Sequence, residues 1–400
     1  MNSPFSYSRV DLPEGWHKRR LGSLLQFRNG QDISGTDIEF KSYPVYGSGG
    51  EFKRTNQYLF DGPSILFGRK GTIDKPLLVD GRFWTVDTMF YTVPGPDVDP
   101  RFVHYWALIA PLSVLSTNTA VPSMTSTDLA QLYLAVPPLP TQRAIADYLD
   151  RETTEIDGMR ADLDEMERLL ETRREAMIGT LLTSTPCAYY PIAVAADITL
   201  GKMVQPTQKS RSERLAPYLR AAHVPQPGTL DTSVEYKEMW FSPREMEHLT
   251  IRKGDVIVVE GGAGYGRSAL IENDLKGWGF QNSIVRIRAF GSLAHGPFIA
   301  YALRHAQALG QIEIAASTAT LPHFTAEKVS RFRIPLPPLT EQRRIANKID
   351  HETAEIDSML SDITKLRDLL AERRTALISA AVTGQIDIPV SPTHKDEAHA

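Results

Sequence analysis

Cysteine is nearly missing from this 400-residue chain: Cys187 is the only one. That excludes an internal disulfide framework and suits a reducing compartment, with Cys187 expected as a structural thiol. No stretch approaches the roughly 18 apolar residues of a spanning helix. The opening MNSPFSYSRVDLPEGW has no basic start followed by an apolar run. Neither a membrane span nor a secretory signal is therefore expected, and the expected location is cytoplasmic. The ten histidines are scattered, without Cys/His zinc spacing. HExxH, GxSxG and paired triad motifs are absent, as is a glycine-rich adenosine loop with a downstream acid. No catalytic residue and no metal ligand is expected in this chain.

A surplus of positive charge is also lacking, the formal net charge being −4. The distribution is uneven. Residues 1–136 are neutral overall, residues 137–183 carry −5 and residues 184–336 carry +4. DNA binding depends on a local basic face rather than on the total, so the sum neither supports nor excludes it.

What the sequence does contain is an internal repeat. PPLPTQRAIADYLDRETTEID, from Pro137 to Asp157, aligns without a gap with PPLTEQRRIANKIDHETAEID, from Pro337 to Asp357, at an offset of 200 residues. The match runs on to Thr183/Thr383, and about half of these 47 positions are identical. Upstream it fades to Pro122/Pro322 and Thr125/Thr325. One repeated frame carries two divergent inserts.

Each repeated segment reads as a long helix entered through Pro-Pro-Leu, with Thr141 or Thr340 as its cap. The first apolar stripe, extending from Ile145 to Leu181, has its central seam at Leu149, Glu152, Ile156, Met159, Leu163, Met166, Leu170 and Arg173. Its counterpart runs through Ile349, Glu352, Ile356, Met359, Ile363, Leu366, Leu370 and Arg373. A heptad seam flanked by charge predicts coiled-coil pairing. With antiparallel helices, residues whose numbers sum to about 525 face each other. Glu152 would then meet Arg373 and Arg173 would meet Glu352, two ionic layers bracketing an apolar middle.

The inserts read as mixed α/β. SILFGRKGTI (64–73) and DVIVVE (255–260) are expected as strands ending in glycine turns, and residues 100–115 and 296–310 as helices. GGAGYGRS, from Gly261 to Ser268, resembles a nucleotide-binding loop but has Arg267 where that motif has lysine. A glycine-rich turn at a groove is the preferred reading. Candidate DNA-reading groups are Tyr46, Ser48, Arg54, Arg69, Lys70 and Thr72 in the first insert. In the second they are Lys209, Arg211, Arg267, Gln281 and Asn282. Arginine suits guanine, Asn or Gln suits adenine, and lysine suits phosphate. Tyr46 and Trp84 also fit core aromatic positions.

The duplicated PPLxxQRxIAxxxDxETxEID, the LLxxRR seam and the closing LISAAVTGQIDI resemble the specificity subunit of type I restriction–modification enzymes. YPVYGSGG, GRKGT, DVIVVEGGA and GFQNS also look like stretches of that family's target recognition domains. The resemblance implies an α/β protein of two pseudo-symmetric target recognition domains joined by two long helices that form an antiparallel coiled coil. The domains would be residues 1–136 and 186–336, the helical spacers 137–185 and 337–384, and the tail 385–400. Each domain would read half of a bipartite double-stranded DNA target, while the helices set the gap and dock two adenine methyltransferase subunits. Restriction/translocase subunits complete the implied complex. S-adenosylmethionine, ATP and Mg would serve those partners, with no cofactor in this chain. The competing readings are a coiled-coil adaptor without sequence preference and an enzyme built on the Gly261–Ser268 loop.

Overall fold

Each long helix starts directly behind a Pro-Pro pair and runs for 44 residues, Leu139–Leu182 in the middle of the chain and Leu339–Val382 towards its end. The computed structural model describes residues 12–33, 43–115, 122–317 and 322–389. The helices begin earlier than the threonine caps predict. The carbonyl of Pro138 accepts from the N–H groups of Thr141 and Gln142, and that of Pro338 from Glu341 and Gln342. Thr141 and Thr340 lie inside the first turn. Proline costs nothing there, because the first N–H groups of a helix have no internal partner.

Two compact units divide the chain, one up to Asp164 and again from Thr364, the other from Glu165 to Ile363. The division cuts across both long helices, so each globular insert is packed with half of either helix.

In the first unit, His17–Arg20 pairs antiparallel with Tyr133–Val136 at the foot of the domain. An inner sheet has the order Leu25–Asn29, Met89–Pro94, Ser64–Gly68, Leu77–Val79. An outer sheet has the order Gly50–Thr55, Tyr43–Gly47, Arg82–Thr85, Phe60–Asp61. Helix Pro100–Ile109 starts at Asp99, whose carboxylate accepts from the Arg101 N–H. Its apolar face, with Phe102 and Trp106, closes a core that includes Leu21, Phe67, Ile145 and Leu149. Ile378, Ala381 and Val382 from the second long helix complete this core. Full burial of each large side chain contributes about 1.5–3 kcal/mol.

The second unit repeats the plan. Tyr189–Pro191 pairs with Arg333–Pro335. The inner sheet runs Ala196–Leu200, Ile284–Ala289, Val256–Val259, Ser268–Leu270, and the outer one Lys237–Phe241, Arg214–Leu219, Gly279–Phe280. Helix Gly296–Ala308 takes the place of Pro100–Ile109. Its Phe298 joins Ile178 and Leu182 with Ile345 and Ile349, tying the insert to both long helices.

A buried glutamine locks each insert to its helix. Gln142 Oε1 accepts from the Asp99 N–H at 2.9 Å, and its amide donates to the carbonyls of Pro137 and Asp97. Gln342 makes the same three bonds to His295, Pro337 and Leu293.

Within each unit the two helices run antiparallel, but the seam turns away from the predicted one. Leu149, Ile156, Ile349, Ile356 and Ile363 are buried, and Leu163, Leu170 and Leu370 are half-buried. Met159, Met166, Met359 and Leu366 are exposed. Thr153, Thr353 and Arg174 are buried one residue further on. Nor do the predicted ionic layers form. Glu152 meets its neighbour Arg151, and Glu352 meets Lys348. The cross-helix pairs are Asp157–Arg374 at 3.6 Å and Asp164–Arg367 in the first unit, and Arg174–Asp357 in the second. The physical reason is phase: Leu149, Ile156, Leu163 and Leu170 keep the seven-residue repeat, but the second column of the contact face lies four residues after them, at Thr153, Glu167 and Arg174, and not three. With 3.6 residues per turn the two columns flank the seam on either side, and the helices meet on the later one.

Candidate nucleic-acid interface

Main-chain hydrogen bonds fix a cluster of loops in each domain. In the first, the Gly30 N–H donates to the Met89 carbonyl, Gln31 to Thr85 and Val86 to Tyr46. In the second, Gly201 donates to Ile284, Lys202 to Phe280 and Gln281 to Leu219. The Arg69 N–H donates to the Thr88 carbonyl at 2.7 Å, and the Arg69 carbonyl accepts from Met124 at 3.0 Å. Glu260 makes the same pair with Ser283 and Phe324, at 2.9 and 2.8 Å. A Cβ on Gly30 would stand 2.0 Å from the Val86 carbonyl oxygen, and one on Gly201 2.2 Å from that of Gln281. Only glycine permits those approaches. The bonds make Arg69 equivalent to Glu260, Val86 to Gln281, Asp87 to Asn282, and Ser123 to His323. The backbone frame is shared and the side chains on it are not.

In the first domain most predicted readers come together. A Cβ on Gly71 would lie 2.9 Å from Ser48 Oγ, so the Gly47–Gly50 turn abuts the loop holding Arg69, Lys70 and Thr72. Lys70 is exposed, and its ammonium has no partner among the described residues. Arg69 is half-buried and donates to the Asp87 carbonyl at 3.3 Å. Tyr46 is half-buried, edge-on to Phe83, and burial together with Glu51 raises its hydroxyl pKa. Trp84 donates its indole N–H to the Gln31 carbonyl. Arg54 is exposed on the outer strand and pairs with Glu51 at 3.0 Å.

In the second domain the predicted residues fall into separate groups. Gln281 and Asn282 are half-buried, and their side-chain amides make no hydrogen bond among the described residues. Lys209 and Arg211 belong to a different loop, one gathered around Glu213. That carboxylate accepts from the Gln205 amide and the N–H groups of Lys209 and Ser210, contacts that lower its pKa. Arg267 folds back, donating to the Pro225 carbonyl at 2.7 Å. The Gly261–Ser268 segment joins strands Val256–Val259 and Ser268–Leu270, which pair antiparallel. A phosphate-binding loop delivers its glycines into a helix N-terminus, and this hairpin has none.

Two residues escape a motif search. Glu260 directly follows strand Val256–Val259, and its carboxylate lies 3.2 Å from His323 Nδ1. The signal for His323 was available at the same offset as the helices, because it follows Pro322 as Ser123 follows Pro122. Nothing in the sequence aligns Glu260 with Arg69. Among the described residues no group of three or more His, Cys, Asp or Glu side chains could hold a metal ion, and no helix is long and apolar enough to cross a membrane.

Fold and loops together define a duplicated α/β protein presenting two matched but differently furnished polar edges. The chain belongs to the family described as the type I restriction modification DNA specificity domain, which matches residues 13–168 and 243–365. The type I restriction enzyme EcoBI specificity subunit of Escherichia coli is 35% identical over 78 residues, covering 20% of this chain and 16% of that protein. The EcoDI specificity subunit of the same organism is 22% identical over 171 residues, 42% of this chain and 38% of that protein. The matches thus span well under half the length of these curated relatives. A chain solved in work on complex assembly and conformational transition of the type I R-M system has a TM-score of 0.70 and 17% identity. It is covered in full and covers 94% of this chain. At that identity the likeness is one of fold.

Proposed function

We propose that this chain is the DNA sequence-reading subunit of a type I restriction–modification complex, each domain reading one half of a bipartite, asymmetric target. The observation that carries the reading is the shared loop frame with unlike side chains. Two copies of one frame suit two half-sites, and different polar groups at equivalent places suit different bases.

The long helices set the spacing of the half-sites and dock two adenine methyltransferase subunits. Each unit offers a matching trio of exposed apolar side chains for such docking, Met159, Leu366 and Leu369 in one and Met359, Met166 and Leu169 in the other. The acidic charge of residues 137–183 favours protein partners over phosphates. Methyl transfer, restriction and translocation, with their S-adenosylmethionine, ATP and Mg, belong to separate subunits, and this chain is not itself a catalyst. The complex acts in the cytoplasm.

Co-production with the cognate methyltransferase subunits, followed by mapping of methylated adenines, tests the proposal. A bipartite motif with unlike halves is expected. Random methylation, or none from an assembled complex, would contradict it and favour a coiled-coil adaptor.

A further inference from the structure

At one position of the shared frame the two domains differ by a full reversal of charge. Arg69 and Glu260 are fixed by the same pair of main-chain bonds, so their Cα atoms hold the same place. Their chemistry is opposite. A guanidinium only donates hydrogen bonds and an ionised carboxylate only accepts them.

Several features set Glu260 apart from an ordinary surface acid. Its side chain is 21% exposed, reaching water without lying free in it. No lysine or arginine pairs with it among the described residues; its one side-chain partner is His323. Gly261 next to it has no side chain, and a Cβ there would come within 2.4 Å of His323 Nδ1. The glycine is what lets the imidazole lie against the loop and hold the carboxylate in place. Gln281 and Asn282, whose side-chain amides make no hydrogen bond among the described residues, lie beside Ser283, whose carbonyl receives the Glu260 N–H. The segment around them carries net positive charge, which offsets the repulsion between a carboxylate and DNA phosphates.

We infer that Glu260 is a specificity-determining residue of the second domain, its carboxylate accepting a hydrogen bond from the exocyclic amine of a cytosine or adenine in the major groove. The inference rests on the sequence-reading function proposed above. In the major groove cytosine N4 and adenine N6 are the available base donors, whereas guanine presents acceptors that suit arginine. Arg69 and Glu260 then read opposite patterns from one backbone position. Gln281 and Asn282 contribute neighbouring donors and acceptors, and His323 positions the carboxylate.

The experiment uses the full chain assembled with its methyltransferase subunits, with the methylated motif as readout. Glu260→Ala is expected to lower discrimination at one base pair of one half-site by about tenfold or more, within the usual cost of a lost base contact. Glu260→Arg is expected to move that same position towards guanine on the strand where the amine was read. Arg69→Ala is expected to alter the other half-site only. If Glu260→Arg fails to assemble, Glu260→Ala, which only removes atoms, decides the matter. A wild-type motif that persists unchanged in an assembled Glu260→Ala complex would overturn the inference and leave the sequence-reading function standing. Absence of any motif from the assembled wild-type complex would overturn both.

Discussion

Gln342 repeats, 200 residues further along the chain, each hydrogen bond that Gln142 makes. Both side chains are buried. Replacing either by leucine leaves a main-chain N–H and two carbonyls without partners. A loss of about 1–3 kcal/mol is expected from each group so stranded, after partial relaxation. Chemical denaturation of Gln142→Leu and Gln342→Leu should show similar losses, one in each unit. A variant as stable as the wild type would mean that the insert does not depend on this lock.

Gly30→Ala and Gly201→Ala drive a methyl group against a carbonyl oxygen that cannot rotate away. Destabilisation of about 1–3 kcal/mol or more is expected, typical of overpacking. Gly158, where an added Cβ meets nothing within 4 Å, supplies the contrast. Gly158→Ala should be neutral or stabilising, since alanine is the better helix former. Thermal melts that rank the three variants in any other order would refute the close approach.

The observed helix register places Arg174 on Asp357. Arg174→Asp should destabilise the protein, and adding Asp357→Arg should recover part of the loss. Because Asp357 is largely exposed, the coupling should be modest, roughly 0.5–1 kcal/mol in a double-mutant cycle. Glu152→Arg with Arg373→Glu should show no coupling. Coupling in the second pair and none in the first would restore the heptad register read from the sequence.

Burial holds the imidazoles of His104, His223, His295 and His305 below the ordinary histidine range. Depressed pKa values mean that the unfolded chain binds more protons once the pH falls below about 6.5. The stability these neutral rings provide is complete above that pH and is lost as the pH falls towards their folded values. The melting temperature should therefore decline between pH 7 and pH 5, and less steeply in His223→Gln. A flat profile over that interval would contradict the burial of these rings as neutral groups.

Lys70 is an exposed cation whose ammonium has no partner among the described residues. Contact with phosphate predicts that Lys70→Ala weakens binding to all duplexes alike and lowers the slope of log affinity against log salt by about one. Titrations at several salt concentrations check this. Unequal losses across sequences would instead assign Lys70 to base reading.

The two long helices were legible because about half of their side chains recur, without a gap, from Pro137 and from Pro337. Their contact face was legible only in part. Ile156 and Ile356 lie on the contact face whichever neighbouring column completes it, whereas Met159 and Met359 lie on the column three residues on, which turns outward and is exposed. The likeness of the inserts was hidden. Its evidence is a set of bonds between N–H and carbonyl groups, which every residue but proline supplies. Arg69 and Glu260 have nothing in common except the atoms that make those bonds. For the same reason Lys209 and Arg211 looked equal to Gln281 as DNA readers, although the fold assigns them to a separate loop around Glu213.

Because the loop frame is held by peptide groups and two glycines, it is indifferent to the identity of most side chains it carries. A substitution at position 69 or 260 alters the chemistry offered to a ligand without breaking a bond that the fold requires. Mutation can then wander through new recognition patterns at little thermodynamic risk, while the same freedom is denied to Gln142, Gln342, Gly30 and Gly201. The molecule separates the residues that must be inherited from those that are free to change, and it does so twice in one chain.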